Sequence, residues 1–168
     1  TAANGCTDTE SITITQDITL PTATITNNTG NTELTCARTA ISLTASGAVS
    51  YAWSGGLGNN ANASVTSPAT YTVTATAANG CTDTESITIT QDITSPTAVI
   101  TNNTGSTELT CARTAISLTA SGAISYAWTG GLGNNANASA TNPATYTVTA
   151  TAANGCTDTE SITITQDI

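Results

Sequence analysis

The sequence contains no histidine, lysine, methionine or phenylalanine, and its only cationic side chains are Arg38 and Arg113. Without His or Lys there is no histidine-based triad, no lysine Schiff base and no phosphate loop of the kind that needs a lysine. Lysine–asparagine cross-links, which brace some surface stalks, are excluded for the same reason. Two cations against eleven acids give a net charge of −9, the wrong sign for binding a phosphate backbone. No apolar run is long enough to cross a bilayer as a helix. Charged residues are only 8 % of the chain, too few for a solvated acidic tail, and apolar positions recur throughout. The abundant threonine is β-branched and suits a pleated, half-exposed surface. These absences leave a folded, β-rich chain with little catalytic chemistry to offer.

What is present is a repeat. Residues 1–75 and 76–150 align without a gap, differing at Leu20/Ser95, Thr24/Val99, Asn31/Ser106, Val49/Ile124, Ser54/Thr129, Val65/Ala140 and Ser67/Asn142. A third copy starts at Thr151, and TAANGCTDTESITITQDI stands at 1–18, 76–93 and 151–168. The Asn-Gly turns at 79–80 and 154–155 follow the alternating stretch ATYTVTA, which reads as a hairpin. The repeat frame therefore differs from the domain frame. The places to cut are Ile18-Thr19-Leu20-Pro21 and Ile93-Thr94-Ser95-Pro96, where a proline fixes an extended entry and removes a ladder donor. The expected division is 19–93 and 94–168 as two domains, with 1–18 as the last strand of a preceding, incomplete module.

Within 19–93 the alternation predicts strands around Ala23 and Ile25, Leu34 and Cys36, Ile41 to Ala45, and Val49 to Trp53. A Gly/Asn-rich loop at 55–62 precedes a weak strand near 63–66, and strands carrying Tyr71, Val73 and Ala75, then Ile87 and Ile89, complete the set. Short strands at this spacing predict an all-β sandwich. No segment has helical periodicity.

Candidate chemistry is sparse. Asp83 and Glu85 alternate with threonine, as do Asp8/Glu10 and Asp158/Glu160; two acids on one strand face suit a cation or acid–base work, but a solvated face that discourages edge pairing explains them as well. No other cofactor is expected. Asp17 and Asp92 stand just before the cuts, where Ca²⁺ between domains would stiffen a string of modules. Tyr51 and Trp53 would form a sugar platform if they faced outward, and their alternation beside Val49 favours core packing instead. Asn27, Asn62, Asn102 and Asn137 each open an Asn-x-Ser/Thr acceptor pattern for glycosylation. Five cysteines, Cys6, Cys36, Cys81, Cys111 and Cys156, alternate at spacings of 30 and 45. Pairing Cys36–Cys81 with Cys111–Cys156 leaves Cys6 over, and pairing Cys6–Cys36 with Cys81–Cys111 leaves Cys156 over; sequence alone does not decide. With no His and no C-x-x-C, a metal site is disfavoured.

The stretches SLTASGAVSYAWSGG and ATYTVTATAANGCTDTESITIT resemble the PKD-like and immunoglobulin-like repeats of large Bacteroidota cell-surface adhesins. Residues 71–74, 78–81 and 86–90, with 146–149, 153–156 and 161–165, carry the likeness. The pattern departs from PKD repeats at Trp53, followed by Ser54-Gly55-Gly56-Leu57-Gly58 where Trp-x-Phe-Gly-Asp-Gly is usual. The resemblance implies tandem immunoglobulin-like (PKD-like) β-sandwich modules in a 75-residue repeat. By analogy with immunoglobulin sandwiches, it favours bridges Cys36–Cys81 and Cys111–Cys156, each enclosing a tryptophan, with Cys6 unpaired. Such bridges imply an extracellular, cell-surface location. The expected function is a non-enzymatic spacer in a filament or stalk, its partners being neighbouring identical modules. Two further readings are an array binding surface glycans through avidity, and a filament subunit that donates residues 1–18 as a strand.

Overall fold

The computed structural model describes residues 1–167 and contains strands and turns without a helix. The first seven strands are β1 (Thr24–Asn27), β2 (Glu33–Thr35), β3 (Ile41–Ser46), β4 (Ser50–Trp53), β5 (Asn62–Val65), β6 (Ala69–Thr76) and β7 (Thr82–Asp92). The next seven repeat them: β8 (Val99–Asn102), β9 (Glu108–Leu109), β10 (Ile116–Ser121), β11 (Ser125–Trp128), β12 (Asn137–Ala140), β13 (Ala144–Thr151) and β14 (Thr157–Gln166). Strand order is β1-β3-β5 and β2-β7-β6-β4 in the first set, β12-β10-β8 and β11-β13-β14-β9 in the second. This is an all-β sandwich architecture, with a three-stranded and a four-stranded sheet in each set.

Contacts along the chain gather it into two compact units. One comprises Thr1–Thr26, Thr44–Ala63 and Tyr71–Ile87. Here β4 pairs antiparallel with β6 from Ser50↔Thr76 to Trp53↔Val73. The indole of Trp53 is buried and donates to Asn60 O at 3.0 Å. The Tyr51 hydroxyl donates to Ala48 O at 2.8 Å and accepts from Ala48 N. That phenol ends the core, so Val49, which alternation placed inward beside Tyr51, is 70 % exposed instead.

The other unit comprises Asn27–Leu43, Ser64–Thr70 and Thr88–Ile168, and so holds all of β8–β14. Alternation sets its core. Ile116, Leu118, Ala140 and Val148 are fully buried, packed with Leu109, Trp128, Tyr146 and Ile164. The intervening threonines and serines face outward, where Thr145–Thr163 and Thr147–Ser161 hydroxyl pairs bridge β13 and β14. Two pairings, one in each set of strands, run against the antiparallel pattern. β9 lies parallel to the end of β14, Thr165↔Glu108 and Gln166↔Leu109, and β2 lies parallel to β7 through Glu33↔Thr90 and Thr35↔Asp92.

Residues 7–18 differ from their copies. The stretch that forms β7 and β14 is here outside any strand, with Ile12 and Ile14 more than 80 % exposed. It has no sheet to pair with, and a strand without partners has no ladder to hold it.

Candidate functional site

The most organised cluster of polar and covalent contacts joins two turns. The tail turn, Ala152–Cys156, is closed by Ala152 N donating to Cys156 O at 2.9 Å and Gly155 N to Ala152 O at 3.0 Å. Gly155 adopts φ +80, which favours glycine, and Asn154 Oδ1 accepts from Cys156 N. The head turn, Thr35–Arg38, is closed by Thr35 N donating to Arg38 O and Arg38 N to Thr35 O, at 2.8 and 3.1 Å. The Arg38 guanidinium fastens it to Glu33 O at 3.0 Å. A disulfide joins Cys36 of the head turn to Cys156 of the tail turn, with Cα atoms 5.0 Å apart and a sequence separation of 120. Ala37 N donates to Asn154 O at 3.3 Å, and Gly155 packs so closely that a Cβ there would sit 2.5 Å from the Ala37 Cβ.

This corrects the expected bridges Cys36–Cys81 and Cys111–Cys156; Cys81 and Cys111 are free thiols, as is Cys6. The reason lies in the parallel pair. β9 ends beside the end of β14, with Asp167 N donating to Leu109 O, so Cys111 lies beyond the finish of that strand. Cys156 lies just before its start. Ten residues of strand at about 3.3 Å each put the two cysteines roughly 30 Å apart, against the ~7 Å limit for Cα atoms in a bridge. The same parallel register pairs Thr35 with Asp92 at the end of β7 and so sets Cys36 just past that end, with Cys81 before its beginning.

Asn154 does a third job. Its Nδ2 donates to Thr94 O at 2.9 Å, while Asp92 Oδ1 accepts from Thr94 N at 3.0 Å, so the Pro-bearing linker is held from both ends. The first repeat has the same clamp: Asn79 Nδ2 to Thr19 O at 2.9 Å and Thr19 N to Asp17 Oδ1 at 3.0 Å. The threonine backbone amide, then its hydroxyl, then the asparagine amide hold the Asp17 and Asp92 carboxyls below their ordinary value of 3.8. A depressed carboxylate contributes stability above its ordinary value and loses it as pH falls through the depressed one. The linker turns should therefore stay closed from neutral pH down to 3.8 and open only below it. Amide shifts of Thr19 and Thr94 followed against pH check this, and Asp92→Asn should abolish the titration seen at Thr94.

The remaining sequence candidates have quieter roles. Asp17 and Asp92 serve as turn acceptors, and the described residues contain no cluster of three or more His, Cys, Asp or Glu side chains. Asp83 and Asp158, read above as a charged face, each accept from a backbone amide 60 residues away, Ala23 N and Ala98 N at 2.8 Å, and so pin the entry to β1 and β8. Glu85 and Glu160 remain exposed. Asn27 and Asn102 cap the following turns through Thr29 N and Thr104 N and donate to Asn31 O and Ser106 O. Asn62 and Asn137 are exposed and accept from Thr44 and Thr119 hydroxyls. Trp53 and Trp128 are each 7 % exposed, leaving no ring face for a sugar to stack on. A cleft of about 500 Å³ lies beside the bridge, lined by Glu33, Arg38, Asp92 and Asn154 among others. The linker clamps and the Asp158 anchor were missed in the sequence; their signal was Asn and Asp standing at the same offsets from Pro and Gly in each repeat.

No protein-family model matches the chain, and no curated protein sequence does. Among solved structures, one described as bearing on host cell surface retention of a 1.5-MDa bacterial ice-binding adhesin aligns at 14 % identity and TM-score 0.48. That alignment covers 90 % of this chain and 66 % of the other, so the chain spans less than two thirds of that structure's length. The fibronectin(III)-like modules of Clostridium thermocellum CbhA align at 11 % identity and TM-score 0.37, over 85 % of this chain and 95 % of theirs. The functional reading rests on the chain's own geometry.

Proposed function

We propose that this chain is a structural repeat region of an extracellular bacterial filament or adhesin stalk, acting as a non-enzymatic spacer. The observation that carries the reading is the Cys36–Cys156 bridge, which ties the head turn of one repeat to the tail turn of the next. A cross-tie between repeats serves mechanical continuity, and such bridges persist outside the reducing cytosol. The Asn154 clamp on the linker adds to it. The domains are taken as 19–93 and 94–168, and within the class we assign them to PKD-like repeats of the Bacteroidota type on the motifs quoted above. The partners are neighbouring identical modules. The protein's mass at its source, under denaturing and reducing conditions, tests the reading: a polypeptide far longer than 16.7 kDa is expected for a tandem stalk.

A band near that mass would instead support assembled subunits. That second reading has one specific observation in its favour. Residues 7–18 carry exposed isoleucines in a sequence that is the last strand of both sandwiches, as a donated strand would.

A further inference from the structure

We propose that Asn79-Gly80 and Asn154-Gly155 are latent modification sites, each converting itself to aspartate or isoaspartate when its linker turn opens and staying intact while that turn is closed. Opening of a linker thus leaves a covalent record in the neighbouring hairpin turn. In an Asn-Gly pair the backbone nitrogen after the asparagine can attack its side chain with little hindrance, because glycine places no Cβ beside that nitrogen. In both complete repeats the asparagine of this reactive pair is also the residue that clamps the linker.

In the closed turn every group the reaction needs is already engaged. Asn154 Nδ2 donates to Thr94 O at 2.9 Å and Oδ1 accepts from Cys156 N at 3.0 Å, so the carboxamide is fixed at both ends. The attacking nitrogen, Gly155 N, donates to Ala152 O at 3.0 Å. Asn79 is held alike, by Thr19 O at 2.9 Å and Cys81 N at 3.0 Å, with Gly80 N on Ala77 O at 3.0 Å. Asp92 and Asp17 secure the linker from its other side, accepting from Thr94 N and Thr19 N. Bringing Asn154 Cγ to the glycine nitrogen rotates the carboxamide and breaks its bond to the threonine carbonyl. The open fraction of the linker turn therefore sets the rate.

The reaction needs only water. Gly155 N gives up its proton and bonds to Asn154 Cγ, the Cγ–Nδ2 bond breaks, and Nδ2 leaves as ammonia. Water then opens the succinimide at either carbonyl, giving aspartate or an isoaspartate whose backbone runs through Cβ. Nothing is oxidised or reduced, and a neutral side chain becomes an anion. Neither product restores the clamp. A carboxylate has no donor for Thr94 O, and it meets the Asp92 carboxylate with like charge. The extra backbone carbon of isoaspartate also carries Cys156 O away from Ala152 N, which closes the hairpin turn.

The test ages the full chain at neutral pH with Cys36–Cys156 intact, following each turn by peptide mass and an enzymatic isoaspartate assay. Both asparagines should convert about tenfold more slowly, or slower still, than in the same chain unfolded in urea. Asp92→Ala, which frees Thr94 N, should speed Asn154 by about tenfold, the ratio one lost hydrogen bond sets on an opening equilibrium, and leave Asn79 unchanged. Asp17→Ala should do the reverse. Once Asn154 has converted, the Thr94 amide shift should match that of an Asn154→Asp chain. Equal rates in the folded and unfolded chain, or an Asp92→Ala variant that leaves Asn154 slow or speeds both turns alike, would overturn the proposal. So would an aged chain that keeps the parent Thr94 shift after conversion.

Discussion

Replacing Gly122 with alanine is expected to unfold β8 from its sandwich, at a cost of about 3 kcal/mol or more. Gly122 has φ +100, and a Cβ there would overlap the carbonyl oxygen of Thr97 and lie 3.0 Å from its carbon. Both obstacles are backbone, so no side-chain rotation relieves them. The only escape is for Thr97–Ala98 to lift, which would break the Ala98 N bond to Asp158 and the Ser121↔Val99 end of the β8–β10 ladder. Gly131 separates the two contributions. It has φ +75 with nothing within 4 Å of an added Cβ, so Gly131→Ala bears only the backbone strain, about 1 kcal/mol. Urea unfolding should rank Gly122→Ala well below Gly131→Ala. Amide exchange should rise across Val99–Asn102 in the first variant and stay as in the parent chain in the second. Equal losses would mean that the close approach to Thr97 does not matter.

Much of this architecture is legible in the sequence because it depends on period-two alternation. Ile41, Leu43 and Ala45, and Tyr71, Val73 and Ala75, point inward as their spacing requires. What escapes is set by partners far along the chain. The eighteen residues at 1–18 and 76–93 are identical, yet residues 7–18 form no strand while Thr82–Asp92 form β7. No local rule can distinguish them, since the difference is whether a sheet is there to pair with. Gly122 reads locally as a turn residue; that the Thr97 carbonyl occupies the space of its missing Cβ appears only when β8 docks.

The cysteines fail for a related reason. Analogy with sandwiches that bridge their two sheets placed both partners within one module around its tryptophan. The short parallel strands β2 and β9 carry Cys36 and Cys111 to the far end of the last strand, away from Cys81 and Cys156. A parallel pair of two or three residues leaves almost no periodic trace. The spacings of 30 and 45 residues are equally compatible with a bridge that crosses the repeat boundary.

Reduction of that bridge should produce the other large effect. Cys36–Cys156 closes a loop of 120 residues, which in the chain-entropy treatment restricts the unfolded chain by about 5 kcal/mol. The stabilisation acts mostly on the unfolded state, so the sandwiches should keep their strands when the bridge is cut, while the urea midpoint falls. The denaturant slope should rise as well, because an unbridged unfolded chain exposes more surface. Locally, the Ala37 amide, held to Asn154 O at 3.3 Å, should lose its protection from exchange. Serine variants decide which pair is responsible. Cys36→Ser and Cys156→Ser should each reproduce the reduced midpoint and slope, whereas Cys81→Ser should leave both unchanged. If Cys81→Ser lowered the midpoint as Cys36→Ser does, the bridge would lie within one repeat. The tie between repeats, and the stalk reading built on it, would fall together.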